Sequence, residues 1–259
     1  MTRAEELLDA LRRAVSEYCA GSDVGVLFSG GLDSSVIAQL ASEGCRPTLY
    51  TIGIEGSHDL TVGEATAEQM GLDWVGIVLG PEEIIEALPR LAEIIGVDSP
   101  LTLSFELPLY FVARKAGQTM LLSGQGADEL FGGYAKYLLL TPDELVIRMN
   151  EDLEGLMGVG LSMEQAIASK FGKEVRHPYL HHSVVLQARG LSAADCIRGQ
   201  SRKVILREVA SLLSLHEVSL REKKAAQYGS GVMRVMKSEA RKKGLSTREF
   251  VARVLREGA

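Results

Sequence analysis

The chain opens with an amphipathic segment. Leu7, Leu8, Leu11, Ala14, Val15 and Tyr18 recur at helical spacing between charged residues, so residues 3–20 read as a helix with one apolar stripe. Gly21-Ser22-Asp23 ends it, and the period then changes. Val24 to Phe28 (VGVLF) is a short unbroken apolar run, the pattern of a strand buried on both faces of a parallel sheet. It breaks into SGGLDSS, with a helix from Ser34 to about Ser42. The alternation continues through a strand at 48–54, a helix at 60–70, a strand at 74–79, a helix at 82–95, a loop through Pro100, a helix at 104–116 and a strand at 119–124. Strands and helices alternating at this pitch predict an α/β fold with a doubly wound parallel sheet. After Gly133 strand-like runs nearly vanish, and amphipathic segments at 143–157, 163–170, 202–214 and 245–256 predict helices. The expected organisation is an α/β nucleotide-binding domain over residues 1–133 and a helical region, 134–259, packed on it.

Composition narrows the class. With 46% hydrophobic and 24% charged residues, the chain can build an ordinary globular core. Its apolar runs are strand-sized, far short of the ~20 residues that span a bilayer. Glu5, Glu6 and Asp9 stand where a signal peptide needs an apolar stretch, so a cytoplasmic protein with no membrane partner is expected. Cys19, Cys45 and Cys196 are far apart with no CxxC spacing, which argues against a zinc knuckle, a disulfide scaffold or a thioredoxin-type site. The net charge of −6 is unevenly spread: residues 221–259 hold 11 Lys/Arg against 4 Asp/Glu. A basic tail on an acidic body fits a solvated helix face, a lid over a polyanion or a nucleic-acid contact.

Ser29-Gly30-Gly31-Leu32-Asp33-Ser34-Ser35 lies between the first strand and its helix. Adjacent glycines permit a sharp turn and close approach to a ligand, and the helix N-terminus offers unpaired N–H groups to an anion. With three serine hydroxyls added, the segment reads as a phosphate cradle. It matches neither the Walker pattern nor the GxGxxG fingerprint. A carboxylate, Asp33, inside an anion site calls for a cation between it and the phosphates, and Mg²⁺ held by one or two carboxylates plus phosphate oxygens answers that need.

SGGLDSS resembles the pyrophosphatase loop of the ATP pyrophosphatase superfamily. The resemblance implies a Rossmann-like adenine nucleotide α-hydrolase fold, adenylation of a carboxylate or amide oxygen by ATP, and release of pyrophosphate. Ser123-Gly124-Gln125-Gly126-Ala127-Asp128-Glu129-Leu130-Phe131-Gly132-Gly133-Tyr134 resembles the SGEGADELFGGY segment of the asparagine synthetase family. Further similar segments are Gly56-Ser57-His58-Asp59, Glu174 to Leu180, Lys203 to Glu208, and Arg221-Glu222-Lys223 ahead of Gly229-Ser230-Gly231. The resemblance implies ATP and Mg²⁺ as cofactors, with Asp33 and Asp128 as metal ligands. It places the nucleotide against Leu27, Ser29, Gly30, Gly31, Asp33, Ser34, Ser35, Ile52, Gly124 and Lys203. Lys223 is the cation expected to face the phosphates, where fixed positive charge stabilises the leaving pyrophosphate. Gln125, Asp128 and Lys223 form the expected catalytic set.

Three departures bear on the second substrate. Thr2 follows the initiator methionine and the phosphate loop begins by residue 29, so the family's cysteine-dependent glutaminase does not fit ahead of it; free ammonia or a separate glutaminase subunit is expected. Gln125 stands at the family's glutamate, and an amide cannot act as a base. Ser104 stands at an arginine that would hold an aspartate carboxylate, while Asp98 and Glu106 lie nearby, which suits a neutral or cationic acceptor. His177, His181 and His182 lie beside Pro178 in a segment read as a surface turn, and no third convergent ligand is evident, so packing or solvent contact is expected rather than metal binding.

The leading expectation is an adenylating ligase, forming AMP and pyrophosphate, that amidates aspartate or another small carboxylate with ammonia or an amine. An RNA-modifying adenylase and a non-catalytic nucleotide-binding subunit are the alternatives. Nucleic acid is the less favoured partner, since the basic tail offers only Tyr228 and Phe250 for stacking. A homodimer stays open.

Overall fold

The computed structural model describes residues 1–21, 23–221 and 229–258. Helix α1 (Arg3–Cys19) begins at a capping box in which the Thr2 hydroxyl accepts from the Glu5 N–H and the Glu5 carboxylate accepts from the Thr2 N–H, satisfying two end donors reciprocally. Strand β1 (Val24–Leu27), α2 (Leu32–Ser42), β2 (Thr48–Gly53), α3 (His58–Met70), β3 (Asp73–Val78), α4 (Pro81–Ile95), α5 (Pro100–Lys115) and β4 (Met120–Leu122) follow in the expected alternation. Helix α5 starts earlier than expected, because Ser99 caps it and Pro100 occupies its first turn, where a missing N–H costs nothing.

The second half holds α6 (Ala127–Phe131), α7 (Pro142–Gly155), α8 (Leu161–Lys170), β5 (Glu174–Arg176), α9 (His182–Arg189), α10 (Ala193–Cys196), α11 (Val204–Leu212), α12 (His216–Leu220), α13 (Val232–Lys242) and α14 (Thr247–Glu257). A short hairpin, β6 (Ile197–Arg198) with β7 (Ser201–Arg202), precedes α11. One π turn, Leu156–Gly160, joins α7 to α8.

The main sheet runs β3-β2-β1-β4-β5, with every pairing parallel. Its fifth strand, absent from the expected set, comes from the second half of the chain and pairs with β4. Two apolar cores cover the two faces. One joins α1, α2, α9 and α11; the other joins α4, α5, α13 and α14. The basic C-terminal helices therefore have a buried side: Val232, Met236, Phe250 and Val251 are all within 1% of full burial. Strand order reverses between β1 and β4, and ligands of open α/β sheets bind beyond the strand ends at such a switch point.

Candidate functional site

The loop after β1 and the loop after β4 meet at this reversal and open into a cleft of about 880 Å³. Gly30 makes the first turn, at φ +67°, and a Cβ there would lie 2.7 Å from the Val62 carbonyl oxygen. No other residue fits without moving that backbone. The hydroxyls preorganise the loop: the Ser29 N–H donates to Ser34 Oγ at 3.2 Å and the Gly31 N–H to Ser29 Oγ at 3.3 Å. Tyr179, fully buried, donates its hydroxyl to the Asp33 carbonyl at 2.9 Å and ties the loop to the segment after β5.

At the centre, Lys203 Nζ lies 2.6 Å from both carboxylate oxygens of Asp33 and 2.7 Å from Asp128 Oδ1. The lysine is 3% exposed. Burial draws its pKa down from the ordinary value, and the Asp33 carboxylate opposes that shift. Lys203 adopts φ 56°, ψ 41°, a left-handed conformation costing roughly 1–2 kcal/mol for a side chain with a Cβ. Gly133 leaves the space for this cluster, since a Cβ there would fall 1.8 Å from Asp128 Oδ1 and 2.2 Å from Lys203 Cε. The two aspartates expected as metal ligands thus converge on one cationic point. Two carboxylates with the oxygens of a bound triphosphate make a suitable donor set for Mg²⁺. Among the described residues no cluster of three His, Cys, Asp or Glu side chains could hold a metal by itself.

Leu27, Ser29, Gly31, Asp33, Ser34, Ile52, Gly124, Gln125, Asp128 and Lys203 all line the cleft. Gly30 shapes the loop from behind. Ser35 is fully buried, its N–H is bonded to the Gly31 carbonyl, and its Oγ has no hydrogen-bond partner among the described residues; its hydroxyl faces the interior. Lys223 lies outside the described residues. The positions flanking that stretch are anchored: Arg221 donates to the Gly30 carbonyl and to Thr66 Oγ1, and the Ile54 N–H donates to the Ser230 carbonyl at 3.0 Å. Arg221 and Ser230 both line the cleft.

The cleft is also lined by buried acids, of which the sequence pointed only to Glu106. Glu106 of α5, Glu129 of α6 and Glu164 of α8 line it, each at most 8% exposed. Burial pushes Glu106 up to about 7. Burial, then the charges of Glu106 and Glu129, push Glu164 up to about 8. Burial also raises Glu129, which accepts a 2.5 Å hydrogen bond from the Tyr134 hydroxyl. His177, read as part of a surface turn, has a side chain only 10% exposed, beside Glu164. Burial and the Arg176 charge drive it down to about 4, so it is neutral. Ser104 is fully buried and donates to the Leu101 carbonyl, offering no counter-charge to an acceptor carboxylate.

The profile described as Asparagine synthase matches residues 6–153 and 144–257. "Putative asparagine synthetase (glutamine-hydrolyzing) 1" of Methanocaldococcus jannaschii is 34% identical over 95% of this chain and 53% of its own length. Asparagine synthetase B (glutamine-hydrolyzing) of Escherichia coli K12 is 31% identical over 90% of this chain and 46% of its own. The chain thus spans about half the length of these curated relatives. Among solved structures, NMN synthetase from Francisella tularensis aligns with a TM-score of 0.35 at 18% identity, covering 73% of this chain and 90% of that one. The match over nearly all of the chain agrees with the motifs that meet at the switch point, and the protein belongs to the asparagine synthase family.

Proposed function

We propose that the chain is an ATP-dependent ligase that adenylates a small carboxylate, releases pyrophosphate, and passes the acyl group to ammonia or an amine with loss of AMP. The observation that carries this is the convergence of Asp33, within the phosphate loop, and Asp128 on Lys203 Nζ, at 2.6–2.7 Å.

The substrate carboxylate oxygen attacks the α-phosphorus, and the bond to the β-phosphate bridging oxygen breaks, its electron pair leaving on pyrophosphate. An amine nitrogen then attacks the acyl carbon. The carbon–oxygen bond to AMP breaks, AMP leaves with that pair, and the proton lost by nitrogen passes to a base or solvent. The N–H groups at the start of α2 and the Ser29 and Ser34 hydroxyls hold the phosphates. Asp33 and Asp128 would hold Mg²⁺, which offsets negative charge on the triphosphate when bound. Lys203 then turns its ammonium toward the phosphates while remaining beside both acids. Lys223, two residues after anchored Arg221, supplies the further cation to the leaving pyrophosphate. Gln125 lines the cleft beside these groups and orients the acceptor by hydrogen bonding, since its amide cannot take a proton.

The RNA-directed alternative finds less support. Phe250, one of two aromatics in the basic tail, is 1% exposed and offers no stacking face.

The test incubates the protein with Mg²⁺, ATP, aspartate and ammonium, and assays AMP, pyrophosphate and asparagine together. A ligase of this kind releases AMP and pyrophosphate in equal amounts with a competent carboxylate, and Asp33→Asn lowers that rate by at least about a hundredfold. Asparagine in step with AMP identifies aspartate as the acceptor. ATP bound without cleavage across a panel of carboxylates and amines would point to the non-catalytic alternative.

A further inference from the structure

The buried acids of the cleft have no place in the adenylation step. Three carboxylates from three different helices face one space, and α5 packs against α8 to hold two of them there. Buried acids are costly unless a cation or hydrogen-bond donors compensate them. The nearby basic groups are already engaged or uncharged. Lys203 is committed to Asp33 and Asp128, Lys136 is bound to Asp152 at 2.5 Å, and His177 is neutral at 3.7 Å from Glu164 Oε2, beyond hydrogen-bond reach. Glu164, 6% exposed, lines the cleft, and its Oε2 has no hydrogen-bond partner among the described residues. The walls around the acids are apolar, with Phe105, Leu156 and Met163 lining the same space.

We propose that Glu106, Glu129 and Glu164 form the binding site for a primary alkylammonium ion, and that its amine is the nucleophile of the ligation. This deepens, and for its reactive role rests on, the ligase reading above. The carboxylates receive the charged head, and Phe105, Leu156 and Met163 pack along the aliphatic stem. Ammonium, with no stem, would leave those walls wet. Glu129 follows Asp128 directly, so the bound amine lies beside the nucleotide end of the cleft. An ammonium cannot attack until it loses a proton. The bound cation favours the ionised form of Glu164, which then takes that proton, forming its O–H bond as the N–H bond breaks, and the nitrogen lone pair becomes free for the acyl carbon. A carboxylate held at high pKa by burial is a well-matched acceptor for it.

Cadaverine is the probe, titrated calorimetrically into the wild-type protein without ATP, with sodium aspartate as the anionic control. The expected result is saturable cadaverine binding, no aspartate binding, and a loss of about tenfold or more in cadaverine affinity in Glu164→Gln and in Glu106→Gln. ATP affinity and the melting temperature report folding. Both variants are expected to melt no lower than wild type, because each removes a buried carboxylate. Cadaverine binding that is absent at about 10 mM, or equal in wild type and Glu164→Gln, overturns the proposal, as does aspartate binding that excludes cadaverine. The two readings fail separately. Cadaverine bound with no ATP cleavage under any acceptor removes the ligase and leaves the site. AMP formation with no cadaverine binding does the reverse.

Discussion

Lys203 is the residue on which the proposed nucleotide site balances. It places one ammonium against two aspartates whose side chains are 22% and 18% exposed, so replacing it leaves two like charges facing each other in a partly desolvated space. Lys203→Met keeps the packing and removes the charge, and a loss of about 2 kcal/mol in unfolding free energy is expected. Millimolar Mg²⁺ without nucleotide should restore part of that loss in the variant and change wild type little, measured by urea denaturation with and without the metal. Equal Mg²⁺ responses would mean the two acids do not share a cation site. The sequence named Lys203, Asp33 and Asp128, but not their contact. Residue spacing carries no sign that Lys203 adopts a left-handed backbone, and that turn delivers its ammonium to the acids. Glu164 was hidden for another reason. On an amphipathic helix an acid reads as solvent-facing by default, and the packing of α4, α5 and β5 against α8 encloses it. Glu106 carried a usable signal, an acid flanked by Leu103, Leu107 and Tyr110 on one apolar helix.

Between elements, arginines bind the C-terminal part of the chain to the phosphate loop. Arg207 donates to the carbonyls of Arg202, Ser219 and Arg221, and Arg221 reaches across to the Gly30 carbonyl and Thr66. The turn at Gly30 is therefore held from the far side of the sequence. Arg221→Ala should weaken ATP binding by about tenfold, equivalent to about 1.4 kcal/mol. Its cost to global stability should be only about 1 kcal/mol, because the core helices beneath are untouched. Equilibrium nucleotide titration beside a denaturant melt separates the two effects; an unchanged nucleotide affinity would show that the loop keeps its shape without the strap. The early elements were legible because each strand from β1 to β3 is bounded by turn residues and followed by a long helix. Strand β5 was not. It is three residues long with only Val175 of the three buried, too short for either period to register, and its place is set by pairing with β4.

The whole molecule carries the cost of its acidic cleft, and pH reads it out. Glu106 and Glu164 have pKa values raised from 4.5 to about 7 and about 8, so the folded protein retains protons that the unfolded chain has lost. Their contribution is fully present below pH 4.5 and fades as pH rises through 7 and 8. His177 acts the other way, its value lowered from 6.5 to about 4, and its effect is confined below pH 6.5. Burial sets the Glu106 shift, burial with the charges of Glu106 and Glu129 sets that of Glu164, and burial with the Arg176 charge sets that of His177. Of these three groups only the two acids remain in play above pH 6.5, and their contribution should fall steadily to pH 8. Thermal melts of wild type should show this slope and those of Glu164→Gln a shallower one; parallel slopes would remove Glu164 as its source.

The ammonium that joins Asp33 and Asp128 stands 170 residues beyond the first of them in the chain. During synthesis, the phosphate loop and both aspartates leave the ribosome well before Lys203 does. A nascent chain halted in between holds both acids without their internal counter-ion, so the proposed nucleotide site is completed late, with the emergence of α11, rather than with the sheet.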